Sequence, residues 1–120
     1  MTEPAFARRL FTIAAVYGLL ALLPQYAIVP VGLSHPEYFY GFIGVASAWQ
    51  FAFLIIAYDP LRYRLLILPG IIEKLGFGVA ALVLFVQGRS PALIALGGGV
   101  DLLFAALFLR CFARLGRARA

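Results

Sequence analysis

Three ionisable side chains stand inside apolar runs: Glu73, Lys74 and Asp101. In hydrocarbon such residues pair with each other, face a cavity, or carry a function. Two carboxylates and one amine at a common level could form a buried ion pair, hold the polar end of a ligand, or work as acid and base. Gln50 adds an amide and Trp49 an indole in a neighbouring apolar run. Metal and redox chemistry are poorly served. The lone histidine, His35, and the lone cysteine, Cys111, exclude a bis-histidine haem, a His-rich metal site, an internal disulfide and a CxxC centre within one chain. There is no Gly-rich phosphate loop, GxSxG elbow or HExxH pair. No cofactor or metal is implied.

The elements that must position these residues follow from composition. The chain has 120 residues, room for one domain at most. It is 64% hydrophobic and only 12% charged, with a mean hydropathy of +0.99. Soluble domains run at about 45–50% apolar and about 25% charged. A water-soluble monomer this small cannot hide so much apolar surface. The expectation is an all-α integral membrane protein, an antiparallel four-helix bundle.

A spanning helix needs about 20 mostly apolar residues. Four segments qualify: about Leu10 to Leu33, Pro36 to Tyr58, Leu65 to Val86 and Pro91 to Leu109. The breaks between them carry start and stop chemistry. Ser34-His35-Pro36-Glu37 reads as a capping box, with Ser34 as N-cap and Glu37 completing it. Asp59-Pro60 ends the second span. In Gln87-Gly88-Arg89-Ser90-Pro91, Ser90 reads as N-cap and Pro91 as the first helical residue. Arg8-Arg9 ahead of the first apolar run superficially suggests a signal peptide. The run is too long for that, and Pro24-Gln25-Tyr26 is a poor cleavage context, so the span is expected to stay.

Basic residues set the orientation. With four spans, one side holds both termini and the middle loop, with Arg8, Arg9, Arg62, Arg64, Arg110, Arg114, Arg117 and Arg119; the other holds only Arg89. The basic side is expected to be cytoplasmic. Tyr38, Phe39 and Tyr40 then form an outer aromatic belt, and Tyr58 and Tyr63 an inner one. The net charge is +5. Because the arginines flank apolar segments, the expected partners are the bilayer and its anionic headgroups, through Arg62, Arg64, Arg114 and Arg117, rather than nucleic acid. A homo-oligomer or a larger membrane complex is compatible with the pattern.

At about 1.5 Å rise per residue, Glu73, Gln50 and Asp101 come out about 12 Å from the inner ends of their spans, and Lys74 about 14 Å. Gly70, Lys74 and Gly78 form one stripe on the third helix. Gly97, Asp101 and Ala105 form another on the fourth, with Gly98 alongside. Small residues at this spacing let backbones approach. The third and fourth helices are therefore expected to pack there, with Lys74 paired to Asp101. Glu73 is left to join that network, to meet Gln50 or Trp49, or to be carried uncharged. If Pro69-Gly70 instead started the third span, Lys74 would lie near the interface and snorkel to lipid phosphate.

Several four-helix membrane families fit less well. The first helix lacks the embedded glutamate that marks small multidrug transporters, the motifs of fluoride channels are absent, and quinone-linked disulfide enzymes need cysteine pairs. Glu73, Asp101 and Trp49 loosely echo the intramembrane carboxylates of sterol-isomerase-like and sigma-receptor-like bundles. Through His35-Pro36-Glu37-Tyr38-Phe39-Tyr40-Gly41-Phe42, Asp59-Pro60-Leu61-Arg62-Tyr63-Arg64 and Glu73-Lys74-Leu75-Gly76-Phe77-Gly78, the whole chain resembles small uncharacterised bacterial four-helix inner-membrane proteins. It resembles DoxX-like proteins in architecture only. The resemblance implies a fold and an inner-membrane location, and no activity. The functional expectation is binding of a partner helix, a lipid or a small apolar ligand in a polar pocket of Glu73, Lys74, Asp101, Gln50 and Trp49. The alternatives are a small oligomeric proton-coupled transporter and a membrane-embedded isomerase using Glu73 and Asp101.

Overall fold

The computed structural model describes residues 1–28 and 30–119, and among them there are four long helices and no strand. The helices are α1 (Glu3–Leu22), α2 (Pro36–Tyr58), α3 (Ile67–Val86) and α4 (Ala92–Arg119). All four are long and apolar enough to cross a membrane.

The first helix starts and ends earlier than its apolar run suggests. The Thr2 hydroxyl caps it by accepting the Ala5 N–H at 3.2 Å, with Glu3 and Pro4 in the first turn. These are ordinary helix-start residues that an apolar window ignores. At the other end Pro24 has no N–H to give, and Leu23–Tyr26 tighten into a 3-10 turn. Pro30 and Gly32 follow in turn and irregular backbone, Gly32 at φ 85°, so the span does not reach Leu33.

The Ser34 capping box does not form. His35 occupies the N-cap position of α2 without a side-chain cap, Pro36 is the first helical residue, and Glu37 turns to His35 Nδ1 at 3.2 Å. Proline at the first position needs no cap for its own nitrogen, and it moves the start one residue on from the expected cap. The second turn, after α3, is a Schellman closure: Gly88 at φ 72° donates to the Phe85 carbonyl at 2.9 Å, and Arg89 to Leu84 at 2.8 Å. The α4 helix then starts at Ala92, with the Pro91 carbonyl accepting from Ala95 at 3.3 Å. It runs on past Leu109 to Arg119, beyond the expected span.

The α3 helix begins before Pro69, led in by a 3-10 turn at Arg64–Leu66. Pro69 therefore lies in the first turn, where a missing N–H breaks no helical bond. Lys74 is two turns into the helix and 2% exposed, so it does not snorkel.

The helices pack as two close hairpins, α1 with α2 and α3 with α4, and the hairpins meet less tightly. Their shared core fills the half of the bundle near the termini. Phe11 of α1 stacks on Phe108 of α4 with centroids 4.3 Å apart, and Phe53 of α2 meets Phe108 edge-on at 5.1 Å. Ala14, Ile56, Ile67, Cys111 and Leu115 close this cluster. In the opposite half each hairpin is tied separately. Leu22, Ile43 and Ala46 join α1 to α2, while Gly78 and Gly98 bring α3 onto α4. The space between the two hairpins is left open there.

Arg64 takes a different place from the one its charge suggests. Its Nε donates to the Phe112 carbonyl at 2.7 Å, and its guanidinium lies over the Phe112 ring at 3.8 Å. Gly116 makes room for it, so Arg64 staples the α2–α3 connection onto α4. Arg110 and Arg114 converge on Glu3 at 3.6 and 3.5 Å, joining the ends of α1 and α4.

Candidate functional site

Between the hairpins lies a cavity of about 480 Å³. All four helices line it, each through a helical stripe. Tyr17 and Ala21 come from α1, Gln25 from the 3-10 turn that follows it, and Phe39, Phe42, Ala46 and Gln50 from α2. Glu73, Lys74 and Phe77 come from α3, with Ile94, Gly97 and Asp101 from α4. Its charged groups lie where the cavity meets the packed core, and its other walls are mostly apolar and aromatic.

Lys74 is the centre of the charged group. Its Nζ is 3.6 Å from Asp101 Oδ1 and 3.7 Å from Glu73 Oε2. The ammonium also lies 5.3 Å from the Phe53 ring centroid and 5.5 Å from that of Phe104, within cation–π range. The expected Lys74–Asp101 pair is present, and Glu73 joins it. The carboxylate side chains are only 15% and 12% exposed. Gly78 and Gly98 set this register, one helical turn away. A Cβ on Gly98 would meet Ala81 Cβ at 2.7 Å, and one on Gly78 would meet the Gly98 carbonyl at 2.9 Å. It is Gly98 that touches α3, while Gly97 faces the cavity.

Gln50 reaches the site by lying across Gly18 of α1, where any larger residue would collide with it. Its Nε2 donates to the Ala46 carbonyl at 2.9 Å, which fixes the amide orientation, and Oε1 lies against Gly18. Among the described residues Oε1 meets no donor, although Gln50 is 1% exposed. Glu73 Oε2 is likewise buried without a hydrogen bond, its partner being the Lys74 ammonium at 3.7 Å.

The structure thus brings Glu73, Lys74, Asp101 and Gln50 together, and leaves Trp49 out. Trp49 packs into the aromatic core, its ring 6.3 Å from that of Phe53. It precedes Gln50 in sequence but points about 100° away around the helix. Phe39, expected in the outer belt, turns inward to line the cavity. The contribution of α1 is the part that sequence reasoning missed. Tyr17, Ala21 and Gln25 repeat every four residues, a stripe visible in the sequence but carrying no charge to single it out. Among the described residues, no three of His, Cys, Asp or Glu gather as a metal site would require. Comparison with family models, with curated proteins and with solved structures finds no match for this chain.

Proposed function

We propose that this chain is a multi-pass inner-membrane protein that binds a lipid or small apolar ligand between its helix hairpins, without catalysing a reaction. The observation that carries the reading is the four-sided cavity, apolar over most of its wall, with Glu73, Lys74, Asp101 and Gln50 at its base. Such a shape, largely apolar with a few placed polar groups, is that of ligand sites in general. Catalysis would want an acid and a base in distinct settings. Here both carboxylates share the one lysine, which favours holding a ligand over turning it over.

The membrane assignment is supported by the outer surface. Ile13, Leu20, Phe51, Ile72, Val83, Leu96 and Leu103 all project outward, so the bundle is apolar on its outside as well as in its core. With both termini cytoplasmic, exposed Arg8, Arg9, Arg62 and Arg117 face the anionic inner leaflet. The orientation is tested with single cysteines, Arg89→Cys or Arg117→Cys, in a Cys111→Ala background. A membrane-impermeant thiol reagent applied to intact cells should label position 89 and spare position 117. The reverse pattern overturns the topology.

Native mass spectrometry of the protein released from mild detergent tests the binding. The expected result is a bound lipid or apolar molecule that survives release. A ligand-free monomer sinks the proposal, and a ligand-free homodimer would favour a proton-coupled transporter instead.

A further inference from the structure

Resting on that reading, we propose that the ligand is a zwitterionic phospholipid of the outer leaflet, one of its acyl chains lying in a side groove between α2 and α3. This groove has a volume of about 620 Å³ and is more open than the cavity. The two share Phe42, Ala46, Glu73 and Phe77, and the Phe42 and Phe77 rings stand 6.0 Å apart at the partition. The loose packing between the hairpins falls on this same face.

Length decides between a chain and a helix. Glu37, exposed in the first turn of α2, marks the outer end of the groove, and Ala46 and Glu73 mark its inner end. From Glu37 to Ala46 the helix rises about 14 Å, close to half of a hydrocarbon core about 30 Å thick. Deeper in, α2 and α3 close up, since a Cβ on Gly70 would meet the Phe53 ring at 2.8 Å. A helix crossing the whole membrane, from a partner or a second copy, would meet that contact partway. An acyl chain reaching down from the outer headgroups ends at the level where the groove ends.

The walls suit such a chain. Between the two ends Gly41, Phe42, Val45, Phe77 and Ala80 offer no polar side chain. Phe42 and Val45 are exposed, so the groove opens onto the apolar outer surface of the bundle. No atom lies within 4 Å of where Gly41 or Gly76 would carry a Cβ, which leaves open space along the groove. At the inner end the Glu73 carboxylate is already matched by Lys74 at 3.7 Å, so no polar group of the ligand is needed there. Charge at the mouth selects the source of the chain. A free fatty acid would bring its carboxylate level with Glu37, whereas a zwitterionic headgroup brings no net charge.

The full chain is reconstituted in phosphatidylcholine nanodiscs, moved to mild detergent and examined by native mass spectrometry. The parent should keep one phosphatidylcholine. Gly41→Leu and Gly76→Leu put a side chain into the open groove, and each should lower the retained fraction at least about tenfold, the scale of two methylenes left unburied. Gly99→Leu, on an exposed position of α4 outside the groove, should retain the lipid like the parent. Photo-crosslinking of the parent, which needs no variant to fold, fixes the direction of the chain. Phosphatidylcholine with a diazirine at the chain end should mark residues near Ala46, and with a diazirine beside the ester, residues near Gly41 and Ala80. The reverse order, or marks spread evenly over the outer surface, overturns the groove assignment. Equal lipid retention by all three variants also overturns it, while leaving ligand binding in the cavity intact. A retained fatty acid, or a homodimer without lipid, overturns the phospholipid. If the parent keeps no molecule at all, this proposal and the binding reading fail together.

Discussion

Lys74→Met is expected to be the most damaging conservative substitution in the chain, at about 3–5 kcal/mol, the usual loss when one partner is removed from a buried ion pair. The lysine is 2% exposed and lies between two carboxylates and two phenyl rings. Methionine fills nearly the same volume, so packing is largely kept and charge is what changes. Two acids would then face each other in an apolar setting with no cation between them. Because the lysine serves both, the structure predicts a graded rescue. Lys74→Met with Asp101→Leu should melt above Lys74→Met alone, and adding Glu73→Gln should bring the protein close to the parent. Buried ionic groups replaced as a set by apolar or neutral residues are often tolerated. Thermal melts in detergent, followed by circular dichroism, check the order. A single Lys74→Met variant that melts like the parent would show that the network contributes nothing.

Gly98→Leu should be comparably severe for a different reason. Even the first added carbon would meet Ala81 Cβ at 2.7 Å and the Gly78 carbonyl at 3.1 Å. The second of these is backbone, so no rotamer change relieves it and α3 must move away from α4. Overpacking usually costs about 1–3 kcal/mol and sometimes more. Here the same displacement would draw Lys74 from Asp101, because both pairs lie on one contact line between α3 and α4. The loss should therefore exceed the packing term alone. Gly99→Leu is the control: nothing lies within 4 Å of a Cβ at that position. Side by side in detergent melts, Gly98→Leu should lose several degrees to tens of degrees while Gly99→Leu stays near the parent. Equal melting of the two would mean that α3 and α4 do not touch at Gly98.

These two predictions rest on parts of the molecule with different visibility in the sequence. The α3–α4 contact was legible. Two small-residue stripes, each carrying one charge of opposite sign at matching depth, leave few other ways to bury those charges, and Lys74 does meet Asp101. The α2 helix was legible to the residue, since Pro36 and Asp59-Pro60 punctuate it at both ends. The start of α1 was written in Thr2, Glu3 and Pro4, whose polar signal an apolar window passes over.

Composition alone determined that the chain forms long apolar helices, and the few charged residues determined the level at which polar groups must meet. In a soluble protein, alternation of polar and apolar faces would also say which side of each helix points inward. Here outward-facing Leu20, Ile72 and Leu96 are as apolar as inward-facing Phe11 and Phe108, so that signal is weak and only charges and glycines break the degeneracy. Which uncharged residues come together was decided by how the hairpins pack. Their tight aromatic contact in one half and their separation in the other place Tyr17, Gln25 and Phe39 in a cavity and Trp49 outside it. The same packing turns Arg64 onto the Phe112 carbonyl. A side chain's neighbours on another helix depend on the distance and rotation between two axes, which no spacing within a single helix encodes.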